Sequence, residues 1–315
     1  MLPRVGDGLS FLYLDMVRVV QDDTGLLALP ALDAELDGTV RIPTAALNCL
    51  LLGPGTSITA PALSTLARHG TSVICTGSAG VRCYSGLVGP GQSSRWLEAQ
   101  ARSWADEKTR LDVATRMYEL RFEEPVAPGT GLAQLRGLEG QRMKAAYRLL
   151  AKQYRVPAFK RSYDPADWDT QSPVNLALSS ANTCLYGIAH AAILALGCTP
   201  GLGFVHAGST HAFVYDVADL YKAELSLPLA FSLHDSPDPE GEARRSFRER
   251  LRLFQLLPRI VGDIQSLLDP NDHANGKPAA NPEDVDDVEE VDLVHLWDPE
   301  LGQVAGGTNY ADSMD

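Results

Sequence analysis

PVNLALSSANTCLYGIAHAAILALG, residues 173–197, is the stretch that settles what kind of fold this chain adopts. Its apolar residues recur on every side of a helical wheel, and no Asp, Glu, Lys or Arg interrupts them. A helix that is apolar all round belongs at the centre of other helices. The flanking sequence supplies those neighbours. Residues 93–123 place Trp96, Ala99, Trp104, Leu111, Ala114 and Leu120 at helical spacings, which predicts one long amphipathic helix. A Pro/Gly break follows at 125–131, then a second predicted helix over 132–154, LAQLRGLEGQRMKAAYRLLAKQY. YDPADWD, residues 163–169, reads as a polar loop. Residues 240–268 predict a last basic amphipathic helix with Arg244, Arg245, Arg248, Arg250, Arg252 and Arg259.

Residues 1–88 have a different period. FLYLD (11–15), VRVVQ (17–21), TVRIP (39–43), LNCLLL (47–52), TSVICT (71–76) and VRCYS (81–85) are short, β-branched or aromatic runs between Gly and Pro punctuation. One helix is expected around Pro61–His69, capped by Thr59. GLVGPGQ (86–92) has the composition of a linker. The predicted fold is α+β: a small β-sandwich-like domain over 1–88, an all-α domain over 89–268, and an acidic, disordered tail over 269–315.

The net charge of −13 belongs almost entirely to that tail. From Asp269 onward there are thirteen Asp or Glu and one Lys, a net of −12, which leaves about −1 for the body. A polyanionic partner is therefore compatible with the body of the chain, because local patches matter more than the sum. The N-terminus, MLPRVGDGLS, is not a signal peptide, and no apolar run predicts a membrane span. Five scattered cysteines without a CxxC pair argue against a zinc cluster or a disulfide framework. They predict buried thiols in a reducing cytoplasm.

The chemistry concentrates in Gly203–Glu224, GFVHAGSTHAFVYDVADLYKAE. His206 stands in a glycine-flanked loop that runs into an apolar helix carrying Asp216 and Asp219. Three apart, the two aspartates share a helix face. Carboxylates among Phe213, Val214, Val217 and Leu220 are costly to bury without partners. Taken singly, each residue has a plain structural reading, and Asp219 can simply pair with Lys222 at i+3. Together they form a hard donor set that suits Mg²⁺ or Mn²⁺ better than zinc. Such ions polarise phosphoryl oxygens. Glu139 is the second candidate element, in RGLEGQR between Gly137 and Gly140. Each helical glycine costs about 1 kcal/mol relative to alanine. The pair, with Arg136 and Arg142 beside it, marks a place where something approaches the backbone closely. Arg82, Arg136, Arg142, Lys144, Arg148 and Lys152 could hold a phosphodiester. Tyr147, Tyr163, Tyr186 and Tyr215 offer stacking faces or, for Tyr147 and Tyr186, core packing. No GxxxxGK[ST], GxSxG or HExxH occurs, and GLG at 201–203 is too short for a dinucleotide fingerprint.

At these residues the chain resembles a known family: the type I-E CRISPR adaptation integrase, the catalytic CRISPR-associated subunit (the Cas-one family). The matching stretches are YELRFEEP (118–125), LRGLEGQRMKAAYRLLAKQY (135–154), YDPADWD (163–169), SSANTCLYGIAHAAILALGCTPGLGFVH (179–206) and FVYDVADLYKAE (213–224). LLLGPGTSIT and GTSVICTGSAGVRCYS are similar to the family's β domain, so the likeness spans nearly all of 5–268. The resemblance implies that the all-α domain is catalytic. Glu139, His206 and Asp219 would ligate the metal, with Asp216 an adjacent acid needed for activity or DNA placement. It puts Arg82, Arg136, Tyr163, Tyr186 and Tyr215 where relatives contact DNA.

The resemblance further implies an asymmetric homodimer, two of which clamp a small ferredoxin-like partner dimer (the Cas-two family) in a 4:2 complex. Such a complex captures duplex DNA with splayed 3′ ends and joins each 3′-OH to CRISPR repeat DNA by metal-assisted transesterification, without ATP. Isolated subunits would cut branched DNA. Two departures stand out. Ser209-Thr210-His211 follow HAG where some relatives carry a lysine. Leu14 holds the position of a duplex-wedging tyrosine, with Tyr13 beside it. VDLVHLW (291–297) in the tail could add as a strand to the partner subunit, or the tail could be an inert solubiliser. The rival readings are a stand-alone, metal-dependent, structure-selective nuclease and a non-catalytic DNA-binding scaffold.

Overall fold

A computed structural model describes residues 10–31, 38–44, 47–80, 82–87, 93–156, 159–161, 171–254, 256–269, 296–298 and 302–304. Its described residues fall into two compact units, one within Met1–Ser78, Tyr84–Ser93 and Asp272–Asp315, the other within Ala79–Cys83 and Ser94–Asn271.

Among the described residues, the N-terminal part of the first unit holds two four-stranded sheets and one α-helix. Their elements are β1 (Phe11–Leu14), β2 (Val17–Asp22), β3 (Gly25–Pro30), β4 (Val40–Ile42), β5 (Cys49–Leu52), β6 (Ser57–Ile58), α1 (Ala60–Arg68), β7 (Ser72–Thr76) and β8 (Cys83–Leu87). One sheet has the order β1-β5-β7-β8, with β5 parallel to both β1 and β7. Every residue of β5 is buried, as its unbroken CLLL run requires of a strand covered on both faces. The other sheet has the order β4-β3-β2-β6. Val17 and Val19 of β2, Leu26 and Ala28 of β3, Leu50 of β5, Val73 of β7 and Leu66 of α1 share one core.

Strand β3, GLLALP, escapes the sequence reading although its signal is present. It closes a two-residue hairpin with β2, pairing Asp22 with Gly25 across Asp23-Thr24. Asp22 Oδ1 accepts from the Thr24 amide at 2.8 Å, and Gly25 takes a positive φ of 134°. Helix α1 starts where expected, but the Thr59 side chain makes no capping hydrogen bond. Cys49, Cys184 and Cys198 are buried as expected, whereas Cys75 is exposed.

The second unit is helical: α2 (Arg95–Ala105), α3 (Glu107–Phe122), α4 (Leu132–Gln153), α5 (Pro173–Ala195), α6 (Ala212–Tyr221), a π-helical turn over Lys222–Ser226, α7 (Leu227–Ser232), α8 (Pro239–Phe254) and α9 (Leu256–Leu268). Helix α5 is its axis, buried on all sides and packed against α6, α7, α8 and α9. Ser172 caps it and Pro173 occupies the first turn, where a missing N–H costs nothing. No helix among the described residues is long and apolar enough to cross a membrane.

One predicted helix is broken in two. The 93–123 helix divides at Asp106, whose backbone is extended and whose carboxylate accepts from the Thr109 amide at 2.8 Å. A competent N-cap starts a new helix there. The predicted 240–268 helix is helical on either side of residue 255, as α8 and α9, and residue 255 itself lies outside the described residues. In the tail, β9 (Leu296–Asp298) and β10 (Gly302–Val304) pair antiparallel within a stretch expected to lack structure. Tyr163 and its loop, Val81, residues 88–92 and most of the tail, including 291–295 of VDLVHLW, lie outside the described residues.

Candidate metal and phosphodiester site

The loop from Thr199 to His206 is held by side chains of three helices. Gln100 of α2 donates to the Thr199 and Leu202 carbonyls and accepts from the Thr199 amide. Trp104 of α2 and Arg110 of α3 donate to the Gly203 carbonyl. Arg136 of α4 donates to the Val205 carbonyl. Gly203 is obligatory here: a Cβ would come within 2.6 Å of the His206 carbonyl oxygen and 2.8 Å of the Ala212 backbone.

Asp216 of α6 closes the loop from below. Its Oδ2 accepts from the Phe204 and Val205 amides at 2.5 and 3.0 Å. Its Oδ1 accepts from the His206 amide at 2.9 Å and lies 2.6 Å from His206 Nδ1. The hydrogen bond to Asp216 raises the His206 pKa above its usual value, against the opposing effect of partial burial. With Nδ1 tied to a carboxylate, Nε2 is the ring nitrogen left for a metal or a phosphate, the usual division of labour in a ligating histidine.

Glu139 and Asp219 meet across a cavity of about 20 Å³, lined by Met117, Tyr118 and Arg121 of α3, Glu139 of α4, Val205, and Asp216, Asp219 and Leu220 of α6. That volume takes a single water-sized particle. Tyr118 donates to Glu139 Oε2 at 3.0 Å. Burial first, then the Glu139 charge, pushes the Tyr118 phenol well above its ordinary pKa, so it stays a donor. Arg121 Nη1 reaches Glu139 Oε1 at 2.5 Å and Asp219 Oδ2 at 3.7 Å. Lys222, in the π-helical turn, puts Nζ 2.5 Å from Asp219 Oδ1 as an ion pair. Burial alone would lower the Lys222 pKa, but Asp219 and Tyr186 outweigh it and raise it.

The three expected ligands are thus unequally placed. Glu139 and Asp219 share one cavity, while His206 stands on Asp216 at its margin. Among the described residues no three His, Cys, Asp or Glu side chains lie close enough to hold an ion together. The donor chemistry still fits a hard divalent cation. Two carboxylates, Glu139 and Asp219, face one ion-sized space, where Arg121 and Lys222 now answer their charge. Asp216, with both oxygens occupied and its side chain fully buried, serves as the clamp of the His206 loop.

Of the expected DNA contacts, Tyr186 and Tyr215 are together, with ring centroids 5.1 Å apart, and the His206 ring is 5.7 Å from Tyr215. Lys222 Nζ lies 4.8 Å from the Tyr186 ring. Arg82 is exposed, and Arg136 is engaged by Val205. Arg142 pairs with Glu124, and Tyr147 packs with Phe159 and Phe231 in the core. Gly137 and Gly140 face open space, with nothing within 4 Å of an added Cβ. Tyr118 and Arg121 were not singled out from sequence. Their signal was their i,i+3 spacing within YELRFEEP.

A two-sheet unit followed in the same chain by a helical unit with an acid-lined cavity is an architecture shared with solved structures. The fold matches a TtCas1–DNA complex with a TM-score of 0.77 and 40% identity, covering 85% of this chain and 99% of that one. A casposase bound to integration product shares the fold at 16% identity and a TM-score of 0.60. The sequence profile of "CRISPR associated protein Cas1" matches residues 116–237. "CRISPR-associated endonuclease Cas1 2" of Thermus thermophilus is 40% identical over 98% of this chain and 92% of its own length. "CRISPR-associated endonuclease Cas1" of Escherichia coli is 40% identical over 79% and 81%. The chain belongs to the Cas1 family.

Proposed function

We propose that this chain is the catalytic subunit of CRISPR spacer acquisition, of the type I-E kind. In this reading it is a DNA integrase dependent on Mg²⁺ or Mn²⁺, with residues 89–268 as its catalytic domain. The observation that carries the reading is the meeting of Glu139 and Asp219 across one ion-sized cavity in a Cas1-family chain. Glu139, Asp219 and the Nε2 of His206 would hold the ion, which when bound supplies charge stabilisation at a phosphoryl oxygen. Asp216 fixes the His206 ring and its tautomer. Tyr118 holds the Glu139 carboxylate in place.

The reaction is an exchange of phosphodiesters. The 3′-OH of captured DNA attacks a repeat phosphorus in line, forming one P–O bond. The repeat's own 3′ oxygen leaves as the second P–O bond breaks and takes up the proton. Bond count is conserved, so no nucleotide is consumed. The rings of Tyr186 and Tyr215 beside the cavity suit an unpaired 3′ end. The exposed α4 face, with Gly137, Gly140, Lys144, Arg148 and Lys152, suits the sugar–phosphate backbone. A homodimer and a 4:2 complex with a small ferredoxin-like subunit complete the reading, in the cytoplasm. The name endonuclease carried by the relatives favours one second reading, the same site cutting branched DNA with water as nucleophile.

A strand-transfer assay tests both. Duplex DNA with splayed 3′ ends, supercoiled repeat DNA and Mn²⁺ are supplied with and without the partner subunit. Joined products that vanish with Glu139→Ala or Asp219→Ala are expected. Cleavage without joining, even with the partner present, leaves the nuclease reading alone. DNA binding with neither product sinks both.

A further inference from the structure

The Glu139–Asp219 cavity already contains a cation. We propose that Arg121 is the resident counter-ion of the two carboxylates, and that its guanidinium must leave its seat before a divalent ion enters. Arg121 then sets the threshold for metal loading. The inference rests on the reading of this cavity as the metal site.

The geometry is that of one group bridging two acids. Arg121 Nη1 is 2.5 Å from Glu139 Oε1 and 3.7 Å from Asp219 Oδ2, and the side chain is 5% exposed. With Lys222 on Asp219 Oδ1, two negative charges face two positive ones, so the site is neutral without metal. The guanidinium occupies the place between the two carboxylates that a divalent ion would need to bind both.

The seat also holds Arg121 incompletely. Its Nε is buried without a hydrogen-bond partner among the described residues. Its Nη2 finds only the Met143 sulfur, at 3.3 Å, which is a weak acceptor. A guanidinium fixed for structure normally has its fork satisfied, because each orphaned buried polar group is destabilising. Here one hydrogen bond to Glu139, the Met143 sulfur and the Phe122 ring, 5.2 Å away, hold it. A divalent ion would take over the two carboxylates, and a phosphate arriving with DNA would give the displaced guanidinium the bidentate partner it lacks. Arg121 is therefore a positioning residue that couples metal entry to substrate entry.

Mn²⁺ binding to the full chain, followed by the electron paramagnetic resonance of free Mn²⁺, tests this without reference to activity. Arg121→Gln should bind Mn²⁺ at least about tenfold more tightly than wild type, a floor below the effect of one unit charge a few ångströms away near a protein surface. Asp219→Ala should lose the binding. An Arg121→Gln affinity equal to or weaker than wild type, with binding still lost in Asp219→Ala, overturns the inference and leaves the metal site standing. Mn²⁺ binding that is absent from both wild type and Arg121→Gln overturns the site and the inference together. A second measurement needs no variant. Phenylglyoxal labelling of Arg121 in the wild-type chain, read by mass spectrometry, should quicken when Mn²⁺ is added. Labelling that is unchanged or slowed overturns the inference.

Discussion

Asp216 accepts from three successive backbone amides, Phe204, Val205 and His206, and from the His206 ring. A neutral amide cannot accept from all of these, since half of its polar end donates. Asp216→Asn should therefore lose about 3 kcal/mol of stability, the range for breaking buried hydrogen bonds to a charged group. It should also lower the His206 titration midpoint, because the Asp216 hydrogen bond is what raises it. Urea unfolding and histidine NMR read the two effects. An unchanged His206 midpoint would show that the pair seen here is not formed in solution. Sequence pointed to Asp216 as an acid on an apolar face, but could not say that the loop's own amides would occupy it. That depends on a turn closing back over α6 at Gly203, where a Cβ has no room.

At the scale of the element, α4 carries Glu139 inward and Gly137 and Gly140 outward. Nothing in the fold requires either glycine, so replacing both by alanine should strengthen the helix by about 1–2 kcal/mol. If α4 receives DNA closely, Gly137→Ala/Gly140→Ala should at the same time weaken binding of splayed duplex DNA several-fold. A rise in Tm with unchanged DNA affinity would leave the glycines without a role in binding. The elements themselves were largely legible: α1, α4 and α5 follow the predicted periods. The helix break at Asp106 escaped for a local reason. Amphipathic period continues through a helix break when both halves pack on one core, whereas a cap acts on the backbone locally.

Across the whole molecule, two histidines push stability in opposite directions with pH. Burial, and then the neighbouring His211, lower the His190 pKa to about 4. An unfolded chain protonates this residue near 6.5. Between those values the unfolded state binds the extra proton, so His190 costs stability as pH falls from about 6.5 towards 4. His206 has its folded pKa raised, so its contribution is present below the unfolded value and is lost as pH rises through the folded one. His190→Gln should remove the first effect alone. Urea unfolding at pH 7 and pH 5 should then show the variant losing about 2 kcal/mol less than wild type. An equal loss would place the acid sensitivity elsewhere.

Residues 173–197 were enough to announce a helical core, because a helix apolar on every side can be stable only inside others. The glycine-flanked Glu139 and the His206–Asp219 segment likewise drew attention as a candidate site, since carboxylates on apolar helices need a reason. What only the tertiary structure decided is who answers those carboxylates. Arg121 and Tyr118 come from a third helix, and Asp216, which also lines the cavity, uses both oxygens to hold a loop. The physical reason is that periodicity reports which face of a helix is buried, while charge pairing depends on which faces meet, and that is set by packing between segments far apart in the chain.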